Sequence, residues 1–157
     1  MRVGIGYDVH RMTPERALVL GGVVVPSPLG LSGHSDADVL THAVADAILG
    51  ATGLSDIGNL FPATDEQYRG ADSLELLRRV VELVKGEGRE VVWVDAVLEA
   101  QVPRLNAFLP EMAKNLSAVL SPEGDALCVN VKAKSPERTG DPGMARSIVC
   151  RAVALLS

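Results

Sequence analysis

The chain begins with the stretch Arg2-Val3-Gly4-Ile5-Gly6-Tyr7-Asp8-Val9-His10, in which apolar and small residues alternate before two polar residues. Alternation is typical of a β-strand with one buried face, so residues 2–7 are predicted to form the first strand. Because residues i and i+2 of a strand point to the same side, Asp8 and His10 at the strand end are predicted to bind one ion together.

The rest of the 157-residue chain predicts an α+β fold: a mixed or mostly antiparallel β-sheet with helices on one face, in a single domain spanning 1–157. A Gly21-Gly22 pair between two apolar runs predicts a hairpin. Helices are predicted at 37–49, from Asp72 to Gly86 and at 106–120, and the first of them is predicted to be capped by Ser35 or Asp36 and ended by Gly50. Further strands are predicted at 91–102, 126–132 and 144–156. Loops are predicted at 53–70 and 135–143.

Composition excludes several classes of partner. The formal net charge is −5 and aromatic residues make up 3% of the chain. We therefore expect neither a basic surface for nucleic acid nor a polybasic patch for a membrane. No apolar stretch approaches the ~18 residues of a membrane helix, and the N-terminus lacks a signal-peptide pattern, so we expect a soluble, cytoplasmic protein. Cys128 and Cys150 lie in apolar runs and are predicted to be buried free thiols.

All three histidines fall in polar clusters. His42 lies one helical turn from both Asp38 and Asp46, so these three residues form one polar stripe. Asp8, His10 and His42 supply one carboxylate and two imidazoles, which suits zinc with an open fourth position, and Asp38 or Asp46 is predicted to orient a ligand. The alternative is a turn at Asp8-Val9-His10 and a helix histidine, with no metal.

Two further segments indicate anion binding. His34-Ser35 precedes a predicted helix N-terminus, where unpaired backbone amides favour phosphate; an ordinary helix cap is the alternative. Residues 132–138 contain three cations, a hydroxyl and a carboxylate at a strand end; a solvated loop is the alternative there.

Five runs along the chain carry a resemblance to a known family, the 2-C-methyl-D-erythritol 2,4-cyclodiphosphate synthases of the non-mevalonate isoprenoid pathway. The runs cover nearly the whole chain in order: Arg-x-Gly-x-Gly-Tyr-Asp-Val-His at 2–10, His-Ser-Asp-Ala-Asp-Val at 34–39, Asp-Ile-Gly-Asn-Leu-Phe-Pro at 56–62, Gly-Ala-Asp-Ser at 70–73 and Asn-Val-Lys-Ala at 130–133.

The resemblance implies a fold, an assembly and an activity. It implies an α+β homotrimer whose sheets face the threefold axis, with active sites at subunit interfaces. It also implies a metal-dependent phosphorus–oxygen lyase, which converts 4-diphosphocytidyl-2-C-methyl-D-erythritol 2-phosphate to the cyclic diphosphate and CMP.

The same resemblance implies roles for individual residues. Zinc would be bound by Asp8, His10 and His42, and a second divalent cation, Mg²⁺ or Mn²⁺, by Glu137. His34 and Ser135 would be catalytic. The implied contacts to the cytidine diphosphate substrate are Asp8, Val9, His10, His34, Ser35, Asp56, Ile57, Gly58, Phe61, Asp65, Ala100, Pro103, Arg104, Leu105, Asn106, Ala133, Lys134, Ser135 and Glu137.

The chain departs from the family pattern at three places. Ala63 replaces the usual aspartate, Lys134-Ser135-Pro136 replaces a threonine-rich run, and the segment 138–143 is short and lacks the expected phenylalanine and arginine. The last departure is predicted to alter any ligand pocket at the threefold axis. Two other functions stay open: a metal-dependent phosphohydrolase, and a metal-binding trimer or isoprenoid-phosphate carrier without catalysis. A structural zinc normally has four protein ligands, which disfavours the second of these.

Overall fold

A computed structural model of the chain describes residues 1–122 and 127–157. Its strands are β1 (Arg2–Thr13), β2 (Leu18–Leu20), β3 (Val23–Val25), β4 (Gly30–Leu31), β5 (Val91–Glu99), β6 (Val129–Lys134) and β7 (Ser147–Leu156). Its helices are α1 (Val39–Thr52), α2 (Ile57–Leu60), α3 (Ser73–Gly86), α4 (Leu109–Leu120) and α5 (Gly140–Gly143), with a 3₁₀ turn at Glu66–Tyr68.

Five of the strands form one sheet in the order β4-β1-β7-β5-β6, and β2 and β3 form a separate hairpin. β1 is antiparallel to both β4 and β7, β5 is antiparallel to β7, and β5 and β6 are parallel. The predicted mixed sheet is confirmed. Because β1, β5 and β6 run in the same direction, their carboxyl ends lie at one edge of the sheet.

One face of the sheet is covered by helices and the other is open. Along β1, Gly4 and Gly6 are buried whereas Val3, Ile5 and Tyr7 are exposed, as the two-residue period of a strand requires. The core on the covered side is built from aliphatic residues of the sheet and of α1, α3 and α4. The predicted α+β architecture, with helices on one face of the sheet in one domain, is therefore confirmed.

Helix α1 lies directly against β1, with backbone touching backbone. A Cβ placed on Gly4 would lie 2.1 Å from the carbonyl oxygen of Ala47, and one on Gly6 would lie 1.9 Å from the carbonyl oxygen of Ala43. Glycines on the strand and alanines on the helix therefore permit the approach. This contact fixes how far along β1 each residue of α1 sits.

The structure corrects the predicted boundaries of the first strand and the first helix. β1 continues to Thr13, so Asp8 and His10 lie within the strand rather than at its end. The continuation pairs with β7 and β4, which are remote in sequence. Helix α1 is capped by Asp38, and it runs through Gly50 to a left-handed cap at Gly53 (φ 81°). The predicted caps at Ser35 or Asp36 and the predicted end at Gly50 are wrong.

Most other elements are confirmed with shifted ends. The hairpin turns at Gly21 and Gly22, both with positive φ, and α3 begins at the predicted Asp72 cap. β5 ends at Glu99, α4 begins at Leu109, β6 extends to Lys134 and β7 begins at Ser147. Short elements lie within both predicted loops: α2 and the 3₁₀ turn within 53–70, and α5 within 135–143. The strand β4 was not predicted. The predicted start of a strand at Ala126 lies outside the described residues.

Cys128 and Cys150 are buried and free, as predicted. In the part of the chain that the structure describes, no helix has both the length and the apolar character needed to cross a membrane.

The close approach of α1 to β1 predicts that Gly6→Ala is strongly destabilising. The new Cβ meets a backbone carbonyl that cannot rotate away, so α1 must shift from the strand. We expect a loss of about 3 kcal/mol in the free energy of unfolding, at the upper end of overpacking effects, as measured by urea denaturation.

Gly86→Ala is the matched control. Gly86 lies at the end of α3, and among the described residues no atom outside its own stretch of helix lies within 4 Å of the position that its Cβ would occupy. Because alanine is the better helix former, this variant is expected to be unchanged or slightly more stable. Equal stabilities of the two variants would contradict the proposed role of the contact between α1 and β1.

Candidate active site

Asp8 and His10 present their side chains on the covered side of β1. Both are half-buried, whereas Val9 between them is exposed on the other face. The predicted i, i+2 relation is therefore confirmed. Val9 does not join the other two but lines a separate pocket with Arg11 and Arg146.

His42 completes a three-residue cluster from the first turn of α1. Its Nδ1 lies 3.0 Å from Asp8 Oδ2 and 3.2 Å from His10 Nε2, and His10 Nε2 lies 2.9 Å from the same Asp8 oxygen. Among the described residues, this is the one group of three or more acidic, histidine or cysteine side chains arranged to bind a metal ion. The predicted ligand set of Asp8, His10 and His42 is therefore brought together.

The ring of His10 is oriented by a backbone group. Its Nδ1 lies 2.7 Å from the carbonyl oxygen of Ser32, so Nδ1 carries the hydrogen that this bond requires. A neutral His10 then directs the lone pair of Nε2 at the carboxylate of Asp8. Two electron-rich atoms at this separation repel each other unless a proton or a metal ion lies between them.

The pKa values of the cluster follow from this arrangement. Burial alone raises the pKa of Asp8, but the hydrogen bonds and charges of His10 and His42 outweigh it, and the pKa lies far below its usual range. Burial alone lowers the pKa of His10, but the hydrogen bond and charge of Asp8 outweigh it, and the pKa is raised. The cluster therefore favours positive charge at its centre.

The donor atoms fit a tetrahedral metal ion such as zinc. Bonds of about 2.0–2.1 Å in a tetrahedron place the ligand atoms about 3.3 Å apart, close to the separations between the three donors here. One carboxylate and two imidazoles leave a fourth position for a ligand that does not come from the protein.

Neither carboxylate predicted to orient a ligand is hydrogen-bonded to an imidazole among the described residues. Asp38 contacts His42 through the main chain alone, where its carbonyl accepts from the His42 backbone N–H at 3.0 Å. Asp38 is fully buried and accepts hydrogen bonds from the backbone N–H groups of Thr41 and Gly22 and from the Thr41 hydroxyl. Burial raises its pKa. Asp46 accepts from the backbone N–H of Ile57 at 2.7 Å. Both carboxylates tie neighbouring segments to α1, so the prediction that one of them orients His42 is wrong.

The Nε2 atom of His42, on the side of the ring away from Asp8, contacts two serines instead. His42 Nε2 lies 2.9 Å from Ser73 Oγ at the start of α3 and 3.1 Å from Ser35 Oγ. No role for Ser73 was predicted from the sequence. Its two sequence signals are its place in the Gly-Ala-Asp-Ser run and its position directly after the residue that caps a helix.

His34 and Ser35 lie beside the cluster of Asp8, His10 and His42. His34 Nε2 is 3.2 Å from the carbonyl oxygen of Asp65, and Arg16, which the sequence analysis missed, donates to the carbonyls of Gly33 and Ser35. These contacts hold the segment before α1 in place. One pocket of about 220 Å³ is lined by the cluster and its surroundings: Asp8, His10, His34, Ser35, His42, Ile57, Gly58, Phe61, Ala63, Tyr68 and Leu76.

The two other predicted aspartates of this region do not line the pocket. Asp56 caps α2 and accepts from the backbone and side-chain nitrogens of Asn59. The side chain of Asp65 accepts from Gln67, and its carbonyl contacts His34. Ala63 does line the pocket.

A second pocket of about 650 Å³ lies at the carboxyl ends of β5 and β6. It brings together eight residues of the predicted substrate set: Ala100, Pro103, Arg104, Asn106, Ala133, Lys134, Ser135 and Glu137. Leu105, the remaining residue predicted here, is 2% exposed and belongs to the core. The two pockets share no lining residue.

Fold and site together define an α+β protein with a candidate divalent-metal centre. The YgbB family pattern matches residues 1–157, and the chain belongs to this family. A 2-C-methyl-D-erythritol 2,4-cyclodiphosphate synthase of Alkaliphilus oremlandii (strain OhILAs) is 49% identical over 154 residues, covering 98% of this chain and 97% of the relative.

Solved structures agree with this assignment. A 2C-methyl-D-erythritol-2,4-cyclodiphosphate synthase in a CDP-bound form has a TM-score of 0.87 and 35% identity over 99% of this chain and 100% of its own. The bifunctional IspDF from Campylobacter jejuni has a TM-score of 0.93 and 39% identity over 99% of this chain. This chain spans 42% of that bifunctional protein.

The geometry of the cluster predicts that His42→Ala loses zinc. Two donors remain, too few for the usual three-ligand open site. After dialysis against zinc, wild type is expected to retain about one zinc ion per chain and the variant far less, as measured by atomic emission, with an unchanged circular dichroism spectrum.

His34→Ala is the control, since His34 lines the same pocket without belonging to the three donors. It should bind as much zinc as wild type. Full zinc content in His42→Ala would remove His42 from the site.

Proposed function

We propose that this chain is a phosphorus–oxygen lyase that converts 4-diphosphocytidyl-2-C-methyl-D-erythritol 2-phosphate to 2-C-methyl-D-erythritol 2,4-cyclodiphosphate and CMP. One observation carries the proposal: relatives with this activity in their names match along nearly the whole chain. The cluster of three possible metal donors in a pocket is compatible with it. We further propose that residues 1–157 form a single synthase domain. The cytoplasmic location expected from the sequence stays a prediction.

The proposed reaction is an intramolecular substitution at phosphorus. An oxygen of the 2-phosphate attacks the β-phosphorus in line and forms the new P–O bond. The bond from the β-phosphorus to the oxygen that bridges to the α-phosphate breaks, and CMP leaves with that oxygen and its electron pair. Because both reacting groups belong to the substrate, no protein nucleophile is needed, and the protein contributes positioning and charge neutralisation.

Residues around the first pocket are proposed to bind the phosphates. When held by Asp8, His10 and His42, zinc supplies Lewis-acid polarisation of a phosphate oxygen. Ser35 offers a hydroxyl beside the cluster, and His34, whose ring is fixed by the carbonyl of Asp65, acts as the catalytic residue on this side. These local groups allow a chain of net charge −5 to bind a polyanion.

The second pocket is proposed to bind the cytidine and the diphosphate. Lys134 and Ser135 offer a cation and a hydroxyl at the end of β6, and Ser135 is assigned the catalytic role there. Glu137 is proposed to hold Mg²⁺ or Mn²⁺. A lone carboxylate suits these ions because they keep several waters and use phosphate oxygens as the other ligands. The CDP-bound form of a solved relative supports a nucleotide in this family.

The chain is proposed to assemble as a homotrimer whose sheets face the threefold axis. The uncovered face of the sheet supports this, because an exposed apolar patch of this kind marks an interaction surface. Its apolar side chains, between 44% and 72% exposed, are Val3, Ile5, Tyr7, Trp93 and Val153.

Each active site is proposed to combine the first pocket of one subunit with the second pocket of its neighbour. The first pocket holds about 220 Å³, below the ~300 Å³ at which ligand pockets usually begin, so it accommodates part of a nucleotide substrate only. A closed ring presents one patch of each subunit to a different patch of the next.

Product analysis in ¹⁸O-labelled water tests the reaction. With zinc, magnesium and the cytidylyl substrate, mass spectrometry should find the cyclic diphosphate and CMP, both without ¹⁸O, since the attacking oxygen comes from the substrate. A linear product that carries one ¹⁸O would identify a phosphohydrolase instead. Binding without turnover would identify a carrier.

Complementation tests the shared site. His42→Ala and Glu137→Ala are each expected to be inactive, and refolding them together in equal amounts should restore about one quarter of wild-type activity. A site is intact only when its zinc half comes from a Glu137→Ala chain and its other half from a His42→Ala chain, each with a probability of about one half.

Each variant refolded alone is the control for this experiment. Native mass spectrometry identifies the mixed trimers. If these trimers have activity near zero, both halves of the site lie within one subunit.

A further inference from the structure

Ser73 is a fully buried serine whose hydroxyl faces the candidate metal site formed by Asp8, His10 and His42. It occupies the first position of α3, and its Oγ lies 2.9 Å from Nε2 of His42, the ring nitrogen on the side away from Asp8. None of the roles proposed above uses this contact.

Asp36 lies directly behind Ser73. One of its carboxylate oxygens accepts a hydrogen bond from the backbone N–H of Ser73 at 3.0 Å, and the other contacts the Ser73 hydroxyl and accepts from the backbone N–H of Asp38 at 3.1 Å. The backbone N–H of Asp36 donates to the carbonyl of Ala71 at 3.0 Å, so the segment before α1 is tied to the segment before α3.

These contacts determine the direction of the hydrogen bonds. An ionised carboxylate only accepts, so the single hydroxyl hydrogen of Ser73 points to Asp36. Ser73 Oγ can then act only as an acceptor toward His42, which places the ring hydrogen on Nε2. The lone pair of Nδ1 is left facing Asp8 Oδ2 and His10 Nε2, where the metal donors meet.

We propose that Ser73, oriented by Asp36, is a positioning residue that fixes the hydrogen of His42 on Nε2 and so prepares Nδ1 as a metal donor. This inference rests on the proposed metal site. The carbonyl of Ser32 does the same for His10 from the other side, by holding its hydrogen on Nδ1 and leaving Nε2 as the donor. Both imidazoles are thus prepared by groups behind them, as is common for histidine ligands.

Ser35 does not share this role, although its Oγ also lies near His42 Nε2. Its Oγ accepts from the backbone N–H of Ala37 at 3.2 Å, and within 1–122 and 127–157 no carboxylate is hydrogen-bonded to its hydroxyl. The Ser35 hydroxyl is therefore able to rotate, and it lines the pocket where an anionic ligand would lie. Only Ser73 has its hydrogen-bond direction set by a neighbour.

Zinc affinity measured by chelator competition, without substrate, tests the proposal. Ser73→Ala should bind zinc about 10- to 100-fold more weakly than wild type, because loss of a group behind a histidine ligand has effects of this size. Ser117→Ala is the matched control: Ser117 is also buried, and its Oγ accepts from the backbone N–H of Cys128, remote in sequence from the site. It should bind zinc as wild type does, even if it is less stable.

Long-range ¹H–¹⁵N spectra of zinc-loaded protein with labelled histidine give a readout that general destabilisation would not produce. In wild type, Nδ1 of His42 should show metal coordination and Nε2 a slowly exchanging hydrogen. In Ser73→Ala that hydrogen should exchange much faster. Coordination through Nε2 in wild type would overturn the proposal without any variant.

The outcomes separate this inference from the proposed function. Equal zinc affinity in wild type and Ser73→Ala would overturn the role of Ser73 and leave the metal site and the cyclase intact. A wild-type chain that binds no zinc would overturn the metal site and this inference together. Absence of cyclisation by a zinc-loaded wild type would overturn the function alone.

Discussion

The contact between α1 and β1 is the constraint on which the site depends. Gly4 and Gly6 let the strand lie against the backbone of the helix at Ala47 and Ala43. The next residue on the same face of the strand is Asp8, and the residue before Ala43 on the helix is His42. Because the small residues set the position of the helix along the strand, the carboxylate of Asp8 and the imidazole of His42 lie at hydrogen-bond distance. The packing of α1 on β1 and the geometry of the candidate metal site are therefore set by one interface.

Carboxylates around the site fall into two kinds with different physical roles. Asp8 is half-buried, faces two imidazoles and has a strongly lowered pKa, so its charge is available to a cation. Asp36 and Asp38 have their oxygens occupied by backbone N–H groups, which ties loops to the ends of helices. Such hydrogen-bonded carboxylates rigidify the surroundings of a site without touching the ligand. The spacing of aspartates along the sequence does not distinguish the two kinds.

Element types could be predicted because they depend on local periodicity, whereas their ends depended on partners elsewhere in the chain. The hairpin is an example: two glycines between apolar runs determine a tight turn whatever surrounds it. β1 was predicted to end near Tyr7, because polar residues follow, but pairing with β7 carries it to Thr13. Gly50 was read as a helix end, although α1 continues over it to Gly53. Long-range pairing overrode the local signal in both cases.

The sequence by itself predicted the three candidate metal donors, since a strand places residues i and i+2 on one side and all three histidines lie in polar clusters. It also predicted anion binding at Ser35 and at the basic strand end, and both predictions stay proposals. Only the tertiary structure decided which groups stand behind those donors. Ser73 and the carbonyl of Ser32 are 31 and 22 residues away from the histidines they contact. Contacts across such distances arise from how helices and strands pack, and no local period of the sequence encodes that packing.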